Sequence, residues 1–144
     1  MKVFTLAATL AATASAATWS SPGDVASAAT GVGASSATTA FVAAGSNGAG
    51  AEILKTTDGG STFNSEKPAG AAFLLLDAGS NSPTSAVVNG LFGAQHTTDG
   101  KTFEASSGGG GQGQSVEGFG KNSYGIAGAF GGNGVAISTD GGAS

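Results

Sequence analysis

Residues 56–63 read TTDGGSTF, and this stretch decides the fold because close copies of it recur along the chain. The second copy is TTDGKTF at residues 97–103, and the third is STDGGAS at residues 138–144. Asp58 and Asp99 lie 41 residues apart, and so do Asp99 and Asp140. Equal spacing of this length is typical of a repeat architecture, in which each period forms one supersecondary unit.

Short apolar-rich runs with turn residues between them flank each copy, and they predict strands rather than helices. Each period is expected to hold an innermost strand that is apolar on both faces, two further strands and a polar outermost strand. The predicted strands are 24–28, 40–45, 51–55 and 62–65, then 72–76, 85–90, 93–96 and 102–105, then 116–119, 124–128 and 134–137, with a glycine-rich loop at 106–114. Four strands in about 40 residues form one β-propeller blade. The sequence therefore predicts an all-β, partial β-propeller of about three four-stranded antiparallel blades.

The repeated stretch has the chemistry of a structural turn. Asp-Gly favours a tight connection between antiparallel strands, and the carboxylate can accept backbone N–H groups within it. The following Thr-aromatic pair starts the next strand, where the ring can bury a large apolar area. We therefore expect structural rather than catalytic roles for Thr56, Asp58, Gly60, Thr62 and Phe63, for Thr97, Asp99, Gly100, Thr102 and Phe103, and for Ser138, Asp140 and Gly142.

The pattern S/T-x-D-x-G-x-T-W/F resembles the Asp-box, or BNR repeat, of the sialidase-like superfamily. Residues 56–63 match every fixed position, while the second copy has Lys101 where the last glycine would fall and the third matches through Gly142. In style the boxes look most like those of photosystem II assembly or stability factors and of xyloglucanase-type propellers. The resemblance implies Asp-box propeller blades over residues 17–144.

The N-terminus has the three-part layout of a signal peptide. Lys2 supplies a positive start, an uncharged apolar run follows, and residues 14–16 read ASA, an A-x-A cleavage site. We expect residues 1–16 to be a signal peptide and the protein to be secreted or extracellular. A plastid signal for the thylakoid lumen ends similarly and stays an alternative. Thr18-Trp19 matches the Thr-aromatic end of a box.

Composition excludes several functions. The net charge of -4 and the sequence pI of about 4.6 do not suit a protein that grips nucleic acid or anionic lipid electrostatically. Cysteine is absent, so disulfides and thiolate metal sites are impossible. His96 is the single histidine and no run is long enough for a transmembrane helix. We expect no cofactor, no bound metal and no membrane span.

Catalytic residues of the sialidase-like superfamily do not carry over to this chain. Sialidases hold the substrate carboxylate with an arginine triad, and this chain has no arginine. The only tyrosine, Tyr124, lies at the start of a predicted strand. Glycosidases generally use two carboxylates flanking the sugar, and no such pair is visible. Asp77 and Glu117, on or just after predicted innermost strands, are candidates for binding only.

These observations favour an exported, non-catalytic Asp-box propeller segment that acts as a protein- or glycan-binding scaffold. One alternative is a protein like the photosystem II assembly or stability factors. Another is a fragment of a polysaccharide-acting glycoside hydrolase, with its catalytic acids in blades outside this chain. Closed propellers typically have about 4–8 blades. We therefore expect further blades or self-association to complete the ring.

Overall fold

The structure is a computed structural model that describes residues 28–45, 50–66, 68, 74–91, 93–108, 112–130 and 134–144. These residues form eleven strands and no helix, so the all-β class is confirmed. Within the same ranges, there is accordingly no helix with the length and apolarity needed to cross a bilayer. The predicted signal at residues 1–16 and the Thr18-Trp19 pair lie outside the described residues.

The strands form three antiparallel sheets whose strand order follows the chain. Two sheets have four strands and the third has three. The first sheet contains β1 (Ala29–Ala34), β2 (Ala40–Ala44), β3 (Glu52–Thr56) and β4 (Asn64–Glu66). The second contains β5 (Leu75–Ser82), β6 (Ser85–Gly90), β7 (Gly93–Thr97) and β8 (Glu104–Ala105), and the third contains β9 (Gln112–Gly120), β10 (Ser123–Phe130) and β11 (Val135–Ser138).

Each sheet has two faces, and the strand register shows which residues of the three sheets hold equivalent positions on each face. We call the face that points to the next sheet along the chain the leading face, and the opposite one the trailing face. Lys55, His96 and Ile137 occupy one position on the leading face, which is the alignment that the repeat predicts. The leading-face residues of the second and third strands are Phe41, Ala43, Ile53 and Lys55, then Val87, Asn89, Ala94 and His96, then Gly125, Ala127, Val135 and Ile137.

Two apolar layers hold the sheets together. The first layer joins leading-face residues of the first sheet, such as Phe41 and Ile53, to Val88 and Phe103 of the second. The second layer joins leading-face residues of the second sheet to trailing-face residues of the third; its members are Val87, Ala94, Val116, Tyr124 and Ile126. The hydroxyl group of Tyr124 also lies 2.8 Å from the Ser85 hydroxyl and accepts the Asn81 N–H at 3.3 Å. Each sheet therefore packs face to face on its neighbour, as successive blades do.

The predicted innermost strand 116–119 lies within β9, whereas the predicted strand 72–76 is wrong in position and in its apolar composition. Only residues 75–76 of the predicted strand 72–76 belong to β5, which runs on to Ser82, and β1 starts at Ala29, just after the predicted strand 24–28. β9 starts at Gln112, inside the predicted loop 106–114. Residues 24–27, 72–73 and 109–111 lie outside the described residues. Small residues rather than large apolar ones fill these strands, because adjacent inner strands approach closely: a Cβ on Gly33 would lie 2.6 Å from the Ala78 carbonyl oxygen.

Candidate functional site

Each repeated turn, which we call a TDG turn after its Thr-Asp-Gly core, is closed by its own carboxylate. In the first turn, Asp58 accepts the N–H of Thr62 at 2.9 Å and its hydroxyl at 2.6 Å, and the Thr56 hydroxyl donates to Asp58 at 2.9 Å. The Thr56 oxygen in turn accepts the N–H of Gly60 at 2.9 Å. Both carboxylate oxygens of Asp58 are therefore engaged within the turn.

The second and third turns repeat this network with local differences. Asp99 accepts the N–H groups of Lys101 and Thr102 at 2.8 Å each, and the Thr97 hydroxyl at 2.9 Å. Asp140 accepts the Ser138 hydroxyl at 2.6 Å and the N–H of Ser144 at 3.1 Å. The side-chain oxygens of Thr97 and Ser138 accept the N–H groups of Gly100 and Gly142 at 2.9 Å. Ser144 thus holds the position that Thr62 has in the first turn.

These hydrogen bonds stabilise the ionised carboxylates. Donation from Thr62, by side chain and backbone, and from Thr56 lowers the pKa of Asp58 from its ordinary value of 3.8 to about 2. The pKa of Asp99 is lowered chiefly by the backbone N–H of Thr102, and that of Asp140 chiefly by the Ser138 hydroxyl. A carboxyl group with a depressed pKa is a poor proton donor near neutral pH.

We expect acid to weaken the fold through these turns. Because the pKa of Asp58 is lowered in the folded state, its stabilising contribution is complete above about pH 4 and is lost as the pH falls toward 2. Thermal unfolding followed by circular dichroism from neutral pH down to about pH 2 measures this loss. The Asp58→Asn variant, uncharged throughout, should lose less of its transition temperature in that window. Parallel losses in the two proteins would contradict the expectation.

The aromatic residue after each complete TDG turn packs on the trailing face of its own sheet. Phe103 is only 3% exposed, lies between the first two sheets and meets the Phe41 ring edge to face at 6.2 Å between centroids. Phe63 is half-buried against Val42 and Leu54 of the first sheet. The two aromatics therefore occupy equivalent places, one between two sheets and one on the trailing face of the first.

The predicted binding candidates Asp77 and Glu117 have different surroundings. Asp77 accepts the N–H of Val116 at 2.9 Å and the Ser115 hydroxyl at 3.2 Å, so it links β5 to β9 across the packed sheets. Glu117 is exposed on the leading face of the third sheet. Asp77 thus has a structural role between sheets, whereas Glu117 is accessible to a partner.

Glu117 takes the position that glycine has in the two preceding sheets. It pairs with Gly125, just as Gly33 pairs with Phe41 and Gly79 with Val87. Both glycines lie against the backbone of the next inner strand, and a Cβ on Gly79 would lie 3.2 Å from the Val116 carbonyl oxygen. The third sheet therefore carries a side chain where the other sheets need none.

The leading face of the third sheet is apolar and exposed to solvent, and the sequence did not predict this exposure. Phe119 is 60% exposed, and Val135 and Ile137 are each 67% exposed. Their equivalents in the first two sheets, such as Ile53, lie beneath the next sheet. The strand pattern of the third period gave no signal of this exposure, because it matches the patterns that precede it.

A cavity lies between the second and third sheets. Its lining includes Val87 from the leading face of the second sheet, Tyr124, Ile126, Ala136 and Ser138 from the trailing face of the third, and Gly142 and Ser144 from the third TDG turn. Most of that lining is apolar. Beside it runs β11, whose only strand partner among the described residues is β10.

One polar group is buried without a partner between these sheets. Asn89 is fully buried, and neither its amide nitrogen nor its carbonyl oxygen has a hydrogen-bond partner among the residues that the structure describes. The amide lies beside Gly113 and the Ile126 methyl, since a Cβ on Gly113 would overlap both. A buried amide without partners keeps its full desolvation cost.

Replacing Asn89 with leucine is therefore expected to raise the free energy of unfolding by about 1 kcal/mol or more. The change keeps a similar volume and removes two unpaired polar atoms. Urea unfolding measures the difference, and Asn81→Leu is the matched control. Asn81 donates from its amide to the Ser123 carbonyl at 2.8 Å, so that variant should lose stability. A loss of stability in both variants would contradict the expected sign at Asn89.

The described residues offer no group of three or more His, Asp or Glu side chains that could hold a metal ion. On the leading face of the third sheet, as far as its residues are described, the only carboxylate is that of Glu117. The geometry therefore suits binding to the surface of a partner, because this face presents an apolar patch around one negative charge.

Comparison with solved structures supports the fold. The chain is similar to the structure described as "YCF48 bound to D1 peptide", with a TM-score of 0.65 and 15% sequence identity over 82% of this chain and 39% of that one. The chain thus spans about two fifths of the length of that protein. No family model matches the sequence, and no curated protein matches it. The similarity and the three stacked antiparallel sheets confirm the predicted partial β-propeller.

Proposed function

We propose that this chain is an exported, non-catalytic Asp-box propeller segment that acts as a protein-binding scaffold through the leading face of its third sheet. One observation carries the proposal: Phe119, Val135 and Ile137 leave that face apolar and open. Contiguous exposed apolar surface rimmed by polar groups is typical of interaction sites. Export rests on the signal-like residues 1–16, and the Asp-box assignment rests on the motif with its turn hydrogen bonds.

The chemistry of the face favours a protein partner. Its large exposed side chains are two aliphatic groups and one aromatic ring, and Glu117 adds the only carboxylate among the described residues of this face. A partner with apolar side chains around one lysine or arginine would complement both features. Glu117 then selects for the charge of the partner, while burial of the apolar residues supplies most of the affinity.

Acid–base chemistry on a polysaccharide has less support. The aspartates of the TDG turns are hydrogen-bonded in the ionised form, and Asp77 accepts two hydrogen bonds across the sheets. A glycosidase needs one carboxyl group that stays protonated as the acid. The leading face of the third sheet provides a single carboxylate, Glu117.

A second candidate is a role like that of photosystem II assembly factors, which the similarity to YCF48 favours. That protein was solved with a D1 peptide, so a D1 peptide is the natural first probe for this chain. Binding of that peptide, lost in the variants described next, would support this candidate.

The proposal is tested by selecting ligands from a peptide-display library with the full chain, alongside a glycan array. Selected peptides should combine apolar residues with lysine or arginine, and the Phe119→Ser/Ile137→Ser variant should weaken their binding at least tenfold. Glu117→Gln should weaken the basic peptides and flatten their dependence on salt. Val32→Ser is the matched control, since Val32 is 64% exposed on the trailing face of the first sheet. Glycan binding that survives the double substitution, with no peptide selected, would overturn the proposal.

A further inference from the structure

We propose that large and small side chains at the two interfaces between sheets select which sheet stacks on which. By this selection, the second sheet accepts the third sheet of its own chain and rejects the second sheet of another copy. The residues concerned are buried between the first and second sheets and between the second and third. The inference is independent of the proposed binding at the leading face of the third sheet.

The need for such a selection follows from the repeat. The second and third strands of the three sheets share one register, so equivalent residues lie at equivalent places on every face. Misassembly and domain swapping are characteristic failures of proteins built from similar units. A sheet that has not yet packed during folding meets several faces of nearly the same shape. Correct stacking therefore requires that the two interfaces differ.

The first difference is an exchange of a large and a small residue across the interface. The first apolar layer contains Phe41 of the leading face and Ala86 of the trailing face, both fully buried. The equivalent positions in the second layer hold Val87 and Tyr124. Stacking the third sheet on the first would bring Phe41 against Tyr124, which puts two rings in the space of one. Stacking one second sheet on another would bring Val87 against Ala86 and leave that space unfilled.

The second difference lies two residues further along the same strands. In the first interface, Ala43 of the leading face packs in one layer with Leu75 of the trailing face. The equivalent positions in the second interface hold Asn89 and Gly113. A Cβ on Gly113 would overlap the Asn89 amide and the Ile126 methyl, so only glycine fits opposite this side chain. The second sheet of another copy would bring a leucine to that place, where there is no room for it.

The polarity of Asn89 adds to the selection. Its amide is fully buried and has no hydrogen-bond partner among the described residues. In its own interface the amide lies beside Gly113, whereas the wrong interface would press it against the apolar side chain of Leu75. A buried polar group can fix which partner a surface accepts while it lowers stability. Selection of the correct sheet is therefore a reason for an amide whose replacement by leucine is expected to stabilise the fold.

The inference is tested by giving the second sheet of the full chain the leading-face residues of the first. In the Val87→Phe/Asn89→Ala variant, this face copies Phe41 and Ala43, so it should accept the trailing face of another copy's second sheet. The proteins are refolded from urea at rising concentration, and size-exclusion chromatography with light scattering measures the fraction of linked copies. We expect that fraction to rise about fivefold or more above that of the unchanged chain, since one well-fitted contact shifts an equilibrium by about this factor.

The matched control is Val87→Phe/Asn89→Leu, which differs only at residue 89. It loosens the third sheet through the same ring but keeps a large side chain opposite Leu75, so it should link no more than the unchanged chain. Linking through the leading face of the third sheet is common to all these proteins and cancels in the comparison. If the ring at residue 87 prevents folding, Asn89→Ala and Asn89→Leu make the same comparison, and the alanine variant alone should link more. Equal linked fractions in the alanine and leucine variants overturn the proposal.

Discussion

Replacing Phe103 with alanine is expected to lower the free energy of unfolding by about 3–5 kcal/mol. The side chain is only 3% exposed and its edge meets the Phe41 ring at 6.2 Å between centroids. Lys55 lies over the Phe41 ring with its ammonium nitrogen 5.1 Å from the centroid, and it donates a hydrogen bond to the Gly100 carbonyl at 3.0 Å. Removing the ring leaves a cavity between two sheets and weakens the contacts that dock the second TDG turn on the first sheet.

Urea unfolding followed by circular dichroism measures this loss. Phe119→Ala is the matched control, because Phe119 is 60% exposed and its truncation should change stability by no more than about 0.5 kcal/mol. An equal loss in the two variants would show that Phe103 does not join the sheets.

The strands outside the innermost one, three in each of the first two sheets and two in the third, could be predicted from sequence because their signals are local. The Asp-Gly turn fixes the connection between third and fourth strands, and alternating apolar residues fix the second and third. The predicted strand 85–90 is observed as β6, Ser85–Gly90. Local turn chemistry and side-chain alternation agree there, and neither needs knowledge of distant contacts.

The innermost strands could not be predicted in the same way, because their composition is determined by contacts with a neighbouring sheet. β5 contains Asp77, Gly79 and Ser80, which read as a loop in isolation. The strand forms because Gly79 lets β9 approach and Asp77 accepts the Val116 N–H. Both requirements involve residues about 40 positions away in the chain, one repeat period of this kind.

The exposure of the leading face of the third sheet could not be predicted from the sequence, for a related reason. Ile53 on the first sheet and Val135 on the third hold the same register position, yet the first is buried and the second is 67% exposed. The residues themselves are alike, so only the stacking of the sheets separates core from surface. Glu117 was predicted as a binding candidate from its place on an inner strand, and the structure leaves it accessible on this face.

Replacing Gly33 with alanine is expected to cost about 3 kcal/mol of unfolding free energy. A Cβ at this position would lie 2.6 Å from the Ala78 carbonyl oxygen and 2.7 Å from both Cα and the carbonyl carbon of Gly79. All three atoms are backbone, so no side chain can rotate away and the first two sheets must separate. Relief of this overlap requires loss of apolar contacts in the layer around Phe41.

Chemical denaturation measures the Gly33→Ala loss against Gly120→Ala. A Cβ on Gly120 would meet no atom nearer than 3.7 Å, and the residue is exposed, so that variant should be neutral or slightly stabilised through its unfolded state. Gly79→Ala, with its nearest contact at 3.2 Å, should fall between the two. This order tests the argument about Glu117 as well, since Glu117 occupies the same register position. If Gly33→Ala is as stable as Gly120→Ala, a side chain at that position does not force neighbouring sheets apart, and close approach of the inner strands is not the reason for glycine there.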